Sequence, residues 1–465
     1  MLKYFLSFLL FFSLVLSISA QSNYVIIDTI IVEGNKRTKT SIILRELNFK
    51  IGDTLLVDLV KDTIEQNKQW LMGTGLFNEV NFSLSDFSNN RIKILLTVKE
   101  TFFLIPQLSI TPGDRNFNVW WTTYNRDLSR LNYSLTLNYR NLTGRNDPIK
   151  TQIQLGFENK YQLNYKLPFF NESKTLGLEY DIFYANSKNW GFTTVGNELI
   201  FENDSDRVVI QRFRTSLGIN YRPKTFTKHQ LDLAYFSNNI SETIATRYPD
   251  FFLDGRIRQQ YFALTYTLTN DKRDYRPYPT KGNYFEGKLK KEGLGIFDDL
   301  DAFYVSVLYA QYHTLAPRWS TELAFKGRYA LQRNQQIPYF NSQALGYRPD
   351  FIRGYEFYVI DGLDYGLGQF SLRYELVNKV LHLGDWMIRP LRFFPIRIYP
   401  KVFTDQGYVN NPYYGEFQNT FANSWLWSAG FGLDFVLYND FIMQTEYTWN
   451  KLGENDFYLN FKLPF

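Results

Sequence analysis

The residue pattern best suited to specific chemistry is Ile352-Arg353-Gly354-Tyr355, which lies in a long segment rich in aromatic residues. An arginine guanidinium is always charged, and its planar fork of donors pairs with a carboxylate through two hydrogen bonds. Two acids follow in strand-like segments, Glu375 in RYELVNK and Asp405 in VFTDQGYV. The chemistry open to these groups is ion pairing. The alternative interpretation is an exposed turn arginine followed by unrelated acids.

Catalytic and metal-binding patterns are missing from the sequence. It contains no nucleophile elbow, P-loop or dinucleotide fingerprint. The three histidines, His229, His313 and His382, lie on separate segments without metal-ligand spacing and are predicted to be surface or interface residues. A net charge of +5 without a basic arm does not favour nucleic-acid binding. We therefore predict a protein that is not an enzyme and holds no metal or cofactor.

The N-terminal residues 1–20, MLKYFLSFLLFFSLVLSISA, have the composition of a secretory signal peptide. Cleavage is expected after Ala20, with Ser19 as the alternative site, and an N-terminal membrane anchor is the other interpretation. The chain has no cysteine, so an exported form would have neither disulfides nor a lipoprotein anchor. After residue 20 no apolar run reaches the roughly 18 residues of a membrane helix. A membrane-spanning form must therefore be a closed β-barrel.

Residues 21–101 differ from the rest of the chain in their sequence pattern, which predicts a small α+β domain of order β-α-α-β-β. YVIIDTIIVEGN is the first strand, and TSIILRELNF is a short amphipathic helix. The second helix is expected to place Leu59, Ile64 and Leu71 on one face. LFNEVNFSLSD and RIKILLTVKE then form a hairpin.

Two turn motifs carry a resemblance for this segment. EGNKRT contains Gly34 and Asn35, and GTGLFNEV contains Gly73, Gly75 and Phe77. Together with the element order, they resemble a POTRA domain, the periplasmic module of outer-membrane assembly proteins. The resemblance implies that extended polypeptides bind by strand addition at the sheet edge. A generic α+β binding domain is the alternative.

Residues 102–465 consist of segments in which apolar and polar residues alternate, as in RLNYSLTLNYRN at 130–141. Aromatic residues make up 18% of the chain, with 34 Tyr and 42 Phe, a load typical of the girdles of outer-membrane barrels. We predict an antiparallel barrel of sixteen strands, and a soluble sandwich is the alternative. The predicted strands lie near 107–113, 130–141, 149–158, 161–169, 174–186, 206–221, 229–241, 259–269, 283–294, 302–314, 319–332, 367–378, 396–408, 424–437, 440–450 and 457–465. Segment 190–202 is interpreted as an extension at a loop.

A nearly identical sequence that occurs twice in the chain supports the predicted strand directions. LNYKLPF at 163–169 and LNFKLPF at 459–465 end the fourth and sixteenth predicted strands, so both end at the periplasmic rim. The end of the chain resembles the C-terminal β-signal of outer-membrane proteins. The residues that carry this resemblance are Tyr458, Phe461, Leu463 and Phe465.

A succession of motifs along the barrel segment carries a second resemblance. Pro279 and Gly282 are predicted to shape a tight turn on the periplasmic side. The members of the succession are Asp271 and Arg273, Pro279 to Gly282, Ile337-Pro338, the Arg353 motif, Glu375 and Asp405. This order resembles the outer-membrane protein assembly factor family, the BamA/TamA superfamily. It implies a long sixth extracellular loop that folds into the lumen, with Arg353 paired to both Glu375 and Asp405. Alternation along RYELVNK assigns Glu375 to the lumen face, Gly354 permits close backbone approach, and Tyr355 packs on the wall.

The resemblance implies an outer-membrane protein with a periplasmic POTRA domain that assists the assembly, insertion or translocation of other polypeptides. Expected partners are outer-membrane lipid, unfolded or nascent outer-membrane polypeptides, and periplasmic or lipoprotein subunits, without nucleic acid. BamA-type members carry several POTRA domains, whereas this chain has room for one, which favours an accessory or specialised relative. The alternatives are a dedicated secretion pore or passive channel for one partner, and a structural or lipid-handling protein.

Overall fold

The computed structural model describes residues 23–462 except 89, 172, 205, 225, 298, 334–335, 348–349, 385, 388–391, 414–418 and 439–440. The predicted signal peptide and the β-signal residues Leu463 and Phe465 lie outside the described residues. The chain divides into two compact units. One contains the residues up to 105 together with 139–148, and the other contains the rest.

The first unit contains a four-stranded sheet and two helices. Its elements are β1 (Tyr24–Glu33), α1 (Thr40–Glu46), β2 (Thr54–Leu56), α2 (Val57–Gly73), β3 (Phe77–Ser88) and β4 (Arg91–Glu100). The sheet order is β2-β1-β4-β3, with β1 and β4 parallel. The predicted β-α-α-β-β order is therefore present. The structure adds the strand β2, which has only three residues and is too short to show an alternating sequence pattern.

Apolar side chains from both helices cover one face of this sheet. Ile43 and Leu71 are fully buried against Leu96 and Val98 of β4. The prediction for α2 was wrong at one position, because Leu59 is 51% exposed and the neighbouring Val60 is buried in its place. Val60 and Ile64 are four residues apart and therefore share one face of the helix, and Leu59 lies outside that face.

Segment 139–148 also packs in the first unit. Asn141 Nδ2 donates to Thr38 Oγ1 at 3.0 Å, and the Lys39 backbone N–H donates to the Gly144 carbonyl at 2.9 Å. A Cβ on Gly144 would lie 2.3 Å from the Arg37 carbonyl oxygen, so only glycine fits this approach.

The second unit is a closed antiparallel barrel. Its strand segments are β5 (Leu104–Pro112), β6 (Leu131–Tyr139), β7 (Ile149–Gly156), β8 (Asn159–Leu167), β9 (Leu176–Ser187), β12 (Ile210–Lys224), β13 (Thr227–Ile240), β14 (Arg258–Asp271), β15 (Gly282–Glu292), β16 (Ala302–Ala316), β17 (Trp319–Ala330), β20 (Asp364–Tyr374), β21 (Val377–His382), β22 (Phe393–Asn410), β23 (Trp425–Leu437), β24 (Phe441–Asn450) and β25 (Asn455–Lys462). The order closes with β25 beside β5.

These seventeen segments make sixteen strands, as predicted, because β20 and β21 are two parts of one strand. Both pair with β22, β20 along 401–410 and β21 along 393–398. The ladder is interrupted at Glu375 and Leu376, where the Glu375 N–H donates to the Arg318 carbonyl of the neighbouring turn. The prediction of an unbroken strand over 367–378 was therefore wrong at this point.

Short elements outside the barrel wall lie in its longer connections. They are β10 (Asn189–Val195), β11 (Glu198–Asn203), α3 (Glu242–Arg247), β18 (Gln343–Leu345) and β19 (Ile360–Asp361). The segment 190–202, interpreted from sequence as a loop extension, is the β10–β11 hairpin. None of the helices in the described part of the chain is both long and apolar enough to cross a bilayer.

Candidate functional site: an inward-folded loop and its strand partners

The connection between β17 and β20 brings Arg353 into the barrel. Ile352, Arg353 and Tyr355 are all buried, although they lie in a loop. A buried loop must find partners for its backbone, and this one bonds to itself and to neighbouring connections. The Gly346 N–H donates to the Asp350 carbonyl, and the Tyr355 N–H donates to the Ile352 carbonyl.

Arg353 forms a bidentate pair with Asp405 on β22. Arg353 Nε donates to Asp405 Oδ2 at 2.9 Å, and Nη2 donates to Oδ1. The Arg353 backbone N–H also donates to Asp405 Oδ2, at 3.0 Å. The guanidinium lies over the ring of Phe403, 4.0 Å from its centroid, and its Nη1 donates to Ser371 Oγ at 3.1 Å. The expected contact between Arg353 and Asp405 is thus present in the structure.

Glu375 does not contact Arg353, which corrects the expected three-residue set. Its carboxylate accepts hydrogen bonds from Tyr399 at 2.9 Å and from Asn378 at 3.2 Å. Arg353 docks at the level of Ser371 on the same strand. Glu375 lies four residues further along the strand, which is about 13 Å from that level. Alternation indicated the correct side of the wall, but it carries no information about depth.

The second acid near Arg353 is Glu446 on β24, at 3.7 Å from Arg353 Nη1. Sequence reasoning missed it together with Lys401 and Asp434. Lys401 Nζ lies 2.7 Å from Glu446 and 2.5 Å from Asp434, and all three side chains are almost fully buried. The sequence did contain a signal for Lys401. It lies four residues before Asp405 in the same strand, so period-two alternation places both side chains on the inward face.

Gly354 and Tyr355 fit the wall closely. Gly354 has a φ of +86°, and a Cβ there would lie 2.5 Å from Thr448 Cγ2. Its carbonyl accepts a hydrogen bond from Asn450 Nδ2 at 2.9 Å. The Tyr355 hydroxyl donates to the Trp427 carbonyl at 3.2 Å. Ile352 fills the space left by Gly407, where a Cβ would meet Ile352 Cδ1 at 2.3 Å.

The turn between β14 and β15 forms the other end of this charge network. Asp271 and Arg273 pair at 2.8 Å, and Gly282 has a φ of +100° with no room for a Cβ beside the Lys272 carbonyl. Tyr278, which sequence reasoning did not select, is buried and donates to Asp434 at 2.8 Å. The Pro279 carbonyl accepts from Arg373.

The remaining sequence-selected residues lie in two places. In the first unit Gly34 has a φ of +88° and lies against the Val98 carbonyl, Asn35 donates to the Thr38 carbonyl, and Gly75 has a φ of +70°. Gly73 is the last residue of α2, and Phe77 is in the core. On the last strand, Tyr458 is buried, with its hydroxyl 3.5 Å from the Gly354 carbonyl, and Phe461 is 39% exposed.

Several of the longer connections between barrel strands pack against one another. Asn197, at the tip of the β10–β11 hairpin, donates to Asn419 Oδ1 at 2.8 Å and accepts at its carbonyl from the Val359 N–H. Phe192 of the hairpin belongs to an apolar cluster with Ile244 of α3 and Phe251. Glu202 accepts hydrogen bonds from Tyr248 and Arg247, which hold the pKa of its carboxyl below the ordinary value.

The histidines lie apart, and His229 pairs with the Tyr266 hydroxyl at 2.8 Å. Within the described residues, no cluster of three or more His, Cys, Asp or Glu has an arrangement that could hold a metal ion.

Sequence comparison matches two family models. The Omp85 superfamily domain covers residues 141–450, and a POTRA model, described as a surface antigen variable number repeat, covers residues 25–101. No curated protein sequence matches the chain significantly.

Comparison with solved structures gives matches to the fold. BamA from Haemophilus ducreyi lacking POTRA domains 1–3 has a TM-score of 0.65 at 15% identity, over 94% of this chain and 84% of that chain. CdiB from Acinetobacter baumannii has a TM-score of 0.52 at 14% identity, covering 94% and 73%. CdiB from Escherichia coli has a TM-score of 0.56 at 12% identity, covering 94% and 76%.

Proposed function

Because the chain belongs to the Omp85 superfamily, whose barrel lies in the outer membrane with the POTRA domain in the periplasm, we propose that it assists the assembly, insertion or translocation of other polypeptides there. The substrate is an unfolded polypeptide, and the mechanism is strand pairing and barrel deformation without covalent chemistry.

The observation that carries this proposal is the free edge of the POTRA sheet. Within the described residues β3 pairs with β4 alone, so one edge of its twelve residues has no partner strand. Along this strand Val80 is buried, whereas Asn81 and Ser83 are exposed. An extended polypeptide can add there through main-chain hydrogen bonds, which are independent of its sequence. A module that receives unfolded chains needs such a sequence-independent contact.

The test is depletion of the protein followed by quantitative profiling of the outer-membrane proteome. We expect a defined set of barrel or surface proteins to decrease while inner-membrane proteins stay constant. An unchanged outer-membrane proteome after full depletion would contradict the proposal. Re-expression of the wild-type chain should restore the missing proteins, which controls for indirect effects.

Conductance separates this function from the passive channel. An open pore needs a continuous path for water. Here the packed connections around Asn197 and Phe192 and the inward-folded loop at Arg353 fill part of that path with side chains. In planar bilayers we expect only brief, irregular openings from the intact protein. A large and steady conductance would instead favour a channel.

A further inference from the structure

The loop between β5 and β6, residues 113–130, also folds inward. The Gly113 N–H donates to the Arg130 carbonyl at 2.7 Å, which closes the base of the loop. Asp114 and Arg130 form a buried ion pair at this base. Beyond it Asn118 and Val119 are buried, although they lie in a connection rather than in the barrel wall.

Asn118 occupies part of the edge of the last strand. The Leu459 N–H donates to Asn118 Oδ1 at 2.8 Å, and the Phe457 N–H donates to Asp456 Oδ1 at 2.7 Å. In an antiparallel ladder, alternate N–H groups point to the same edge, so both donors face away from β24. Two successive main-chain donors of β25 are therefore bonded to side chains, at the edge where β5 is the neighbouring strand.

The Asn118 side chain imitates a peptide group. Its carbonyl oxygen accepts from Leu459, and its Nδ2 lies 3.4 Å from Asn460 Oδ1. A side-chain amide has the same donor and acceptor pair as a backbone amide. Phe117 adds an edge-to-face contact with Phe461, with ring centroids 5.4 Å apart.

The connection between β17 and β20, which is the predicted sixth loop, holds Arg115 and Asn116 in place. Arg115 donates to the carbonyls of Phe357 at 2.8 Å and Tyr358 at 2.7 Å. Asn116 Nδ2 donates to the Glu356 carbonyl at 2.7 Å. The three carbonyls lie three to five residues after Arg353, so the position of the segment depends on the docking of the sixth loop.

We propose that residues 115–118 form an edge latch, an internal occupant of the outer half of the β25 edge. The latch holds the site at which an extended segment of another polypeptide would place a backbone carbonyl against the Leu459 N–H. Displacing the sixth loop removes the contacts of Arg115 and Asn116, and the edge then becomes available. The identity of the incoming polypeptide rests on the proposed function, whereas the latch rests on the contacts of this chain alone.

Hydrogen–deuterium exchange of the full chain in nanodiscs tests the latch without any client. In Asn118→Ala the Leu459 amide loses its acceptor, and we expect its exchange to be about tenfold faster. Asn164→Ala is the matched control, because Asn164 donates to Glu179 on a distant part of the wall. It should leave exchange at 457–460 unchanged. Equal exchange at Leu459 in wild type and Asn118→Ala overturns the latch.

Two further measurements keep the inference testable if Asn118→Ala folds poorly. The chain has no cysteine, so Asn118→Cys with Asn460→Cys should form a disulfide under mild oxidation, and failure to crosslink overturns the latch.

The synthetic peptide NDFYLNFK, equivalent to residues 455–462, serves as an extended probe. It should bind the reduced cysteine pair, which lacks the Asn118 amide, about tenfold more tightly than the oxidised pair. Equal binding to both overturns the role of the edge as a polypeptide site, and leaves the depletion experiment as a separate test of function.

Discussion

The Arg353 guanidinium and the Asp405 carboxylate form a bidentate pair inside the barrel, with Arg353 9% and Asp405 0% exposed. Arg353 comes from a loop and Asp405 from a strand of the wall. A buried pair of this kind contributes little net stability when it is intact, but removal of one partner leaves a charge without water or counterion. The pair therefore fixes where the loop docks more than how stable the barrel is.

Loss of the arginine should destabilise the folded barrel. For Arg353→Ala we expect a loss of about 3–5 kcal/mol in the free energy of unfolding, because the fully buried Asp405 loses its guanidinium partner. Unfolding in urea followed by heat-modifiable gel mobility measures this loss. Arg207→Ala is the control, since Arg207 is exposed and its removal should change little. Equal midpoints for both variants would count against the pair.

Mutation can distinguish Glu446, which lies near Arg353 in the structure, from Glu375, which the sequence motif predicted as its partner. Glu446→Gln removes a carboxylate that faces both Arg353 and Lys401, and we expect about 2–4 kcal/mol of destabilisation. Glu375→Gln removes only the charge of a half-buried side chain, because the amide oxygen can still accept from Tyr399, and about 1 kcal/mol or less is expected. The measurement is the urea midpoint of each variant. A larger effect at Glu375 would reverse the assignment.

Lys401 should be essential to the packing of the acids around it. In Lys401→Met, Asp434 and Glu446 face each other without the cation that now lies 2.5 Å and 2.7 Å from them. We expect low abundance of the folded form, with partial recovery in Lys401→Met/Asp434→Asn, because the second change removes one charge. Folded fraction by heat-modifiable mobility measures both. Absence of any recovery would show that Lys401 acts through packing alone.

Gly354 should not tolerate a side chain. Its φ of +86° costs an alanine about 1–2 kcal/mol, and the added Cβ meets Thr448 Cγ2 at 2.5 Å. We expect Gly354→Ala to lower the folded fraction, and Gly354→Ala/Thr448→Ser to recover part of it by removing Cγ2. Gly368→Ala is the matched control, since nothing lies within 4 Å of that position. Equal folded fractions for the two alanine variants would refute the close approach.

The free edge of β3 should contact unfolded polypeptides. Because the chain has no cysteine, Ser83→Cys accepts a single photocrosslinker on this strand. We expect crosslinks to a reduced, unfolded outer-membrane protein, and far fewer from Glu65→Cys on the exposed side of α2. Crosslinking at equal yield from both positions would mean that capture does not involve the strand edge.

Several features could be predicted from local sequence alone. Period-two alternation located the sixteen barrel strands and the inward face of Glu375, because side-chain direction in a strand depends on residue parity. Gly34 and Gly282 were identified from turn chemistry, and their positive φ angles agree with it. The motif order, by its resemblance to a known family, led to the contact between Arg353 and Asp405.

Other features depended on contacts between residues far apart in the chain. Glu375 and Glu446 both face inward. Only the depth at which the sixth loop docks decides that Glu446, and not Glu375, is the second acid near Arg353 after Asp405. The latch at Asn118 pairs residues 341 positions apart. Parity gives each strand residue its face, but register, strand breaks and loop paths follow from the total packing of the closed barrel. The sequence by itself therefore determined which residues line the lumen, and only the tertiary structure decided which of them meet.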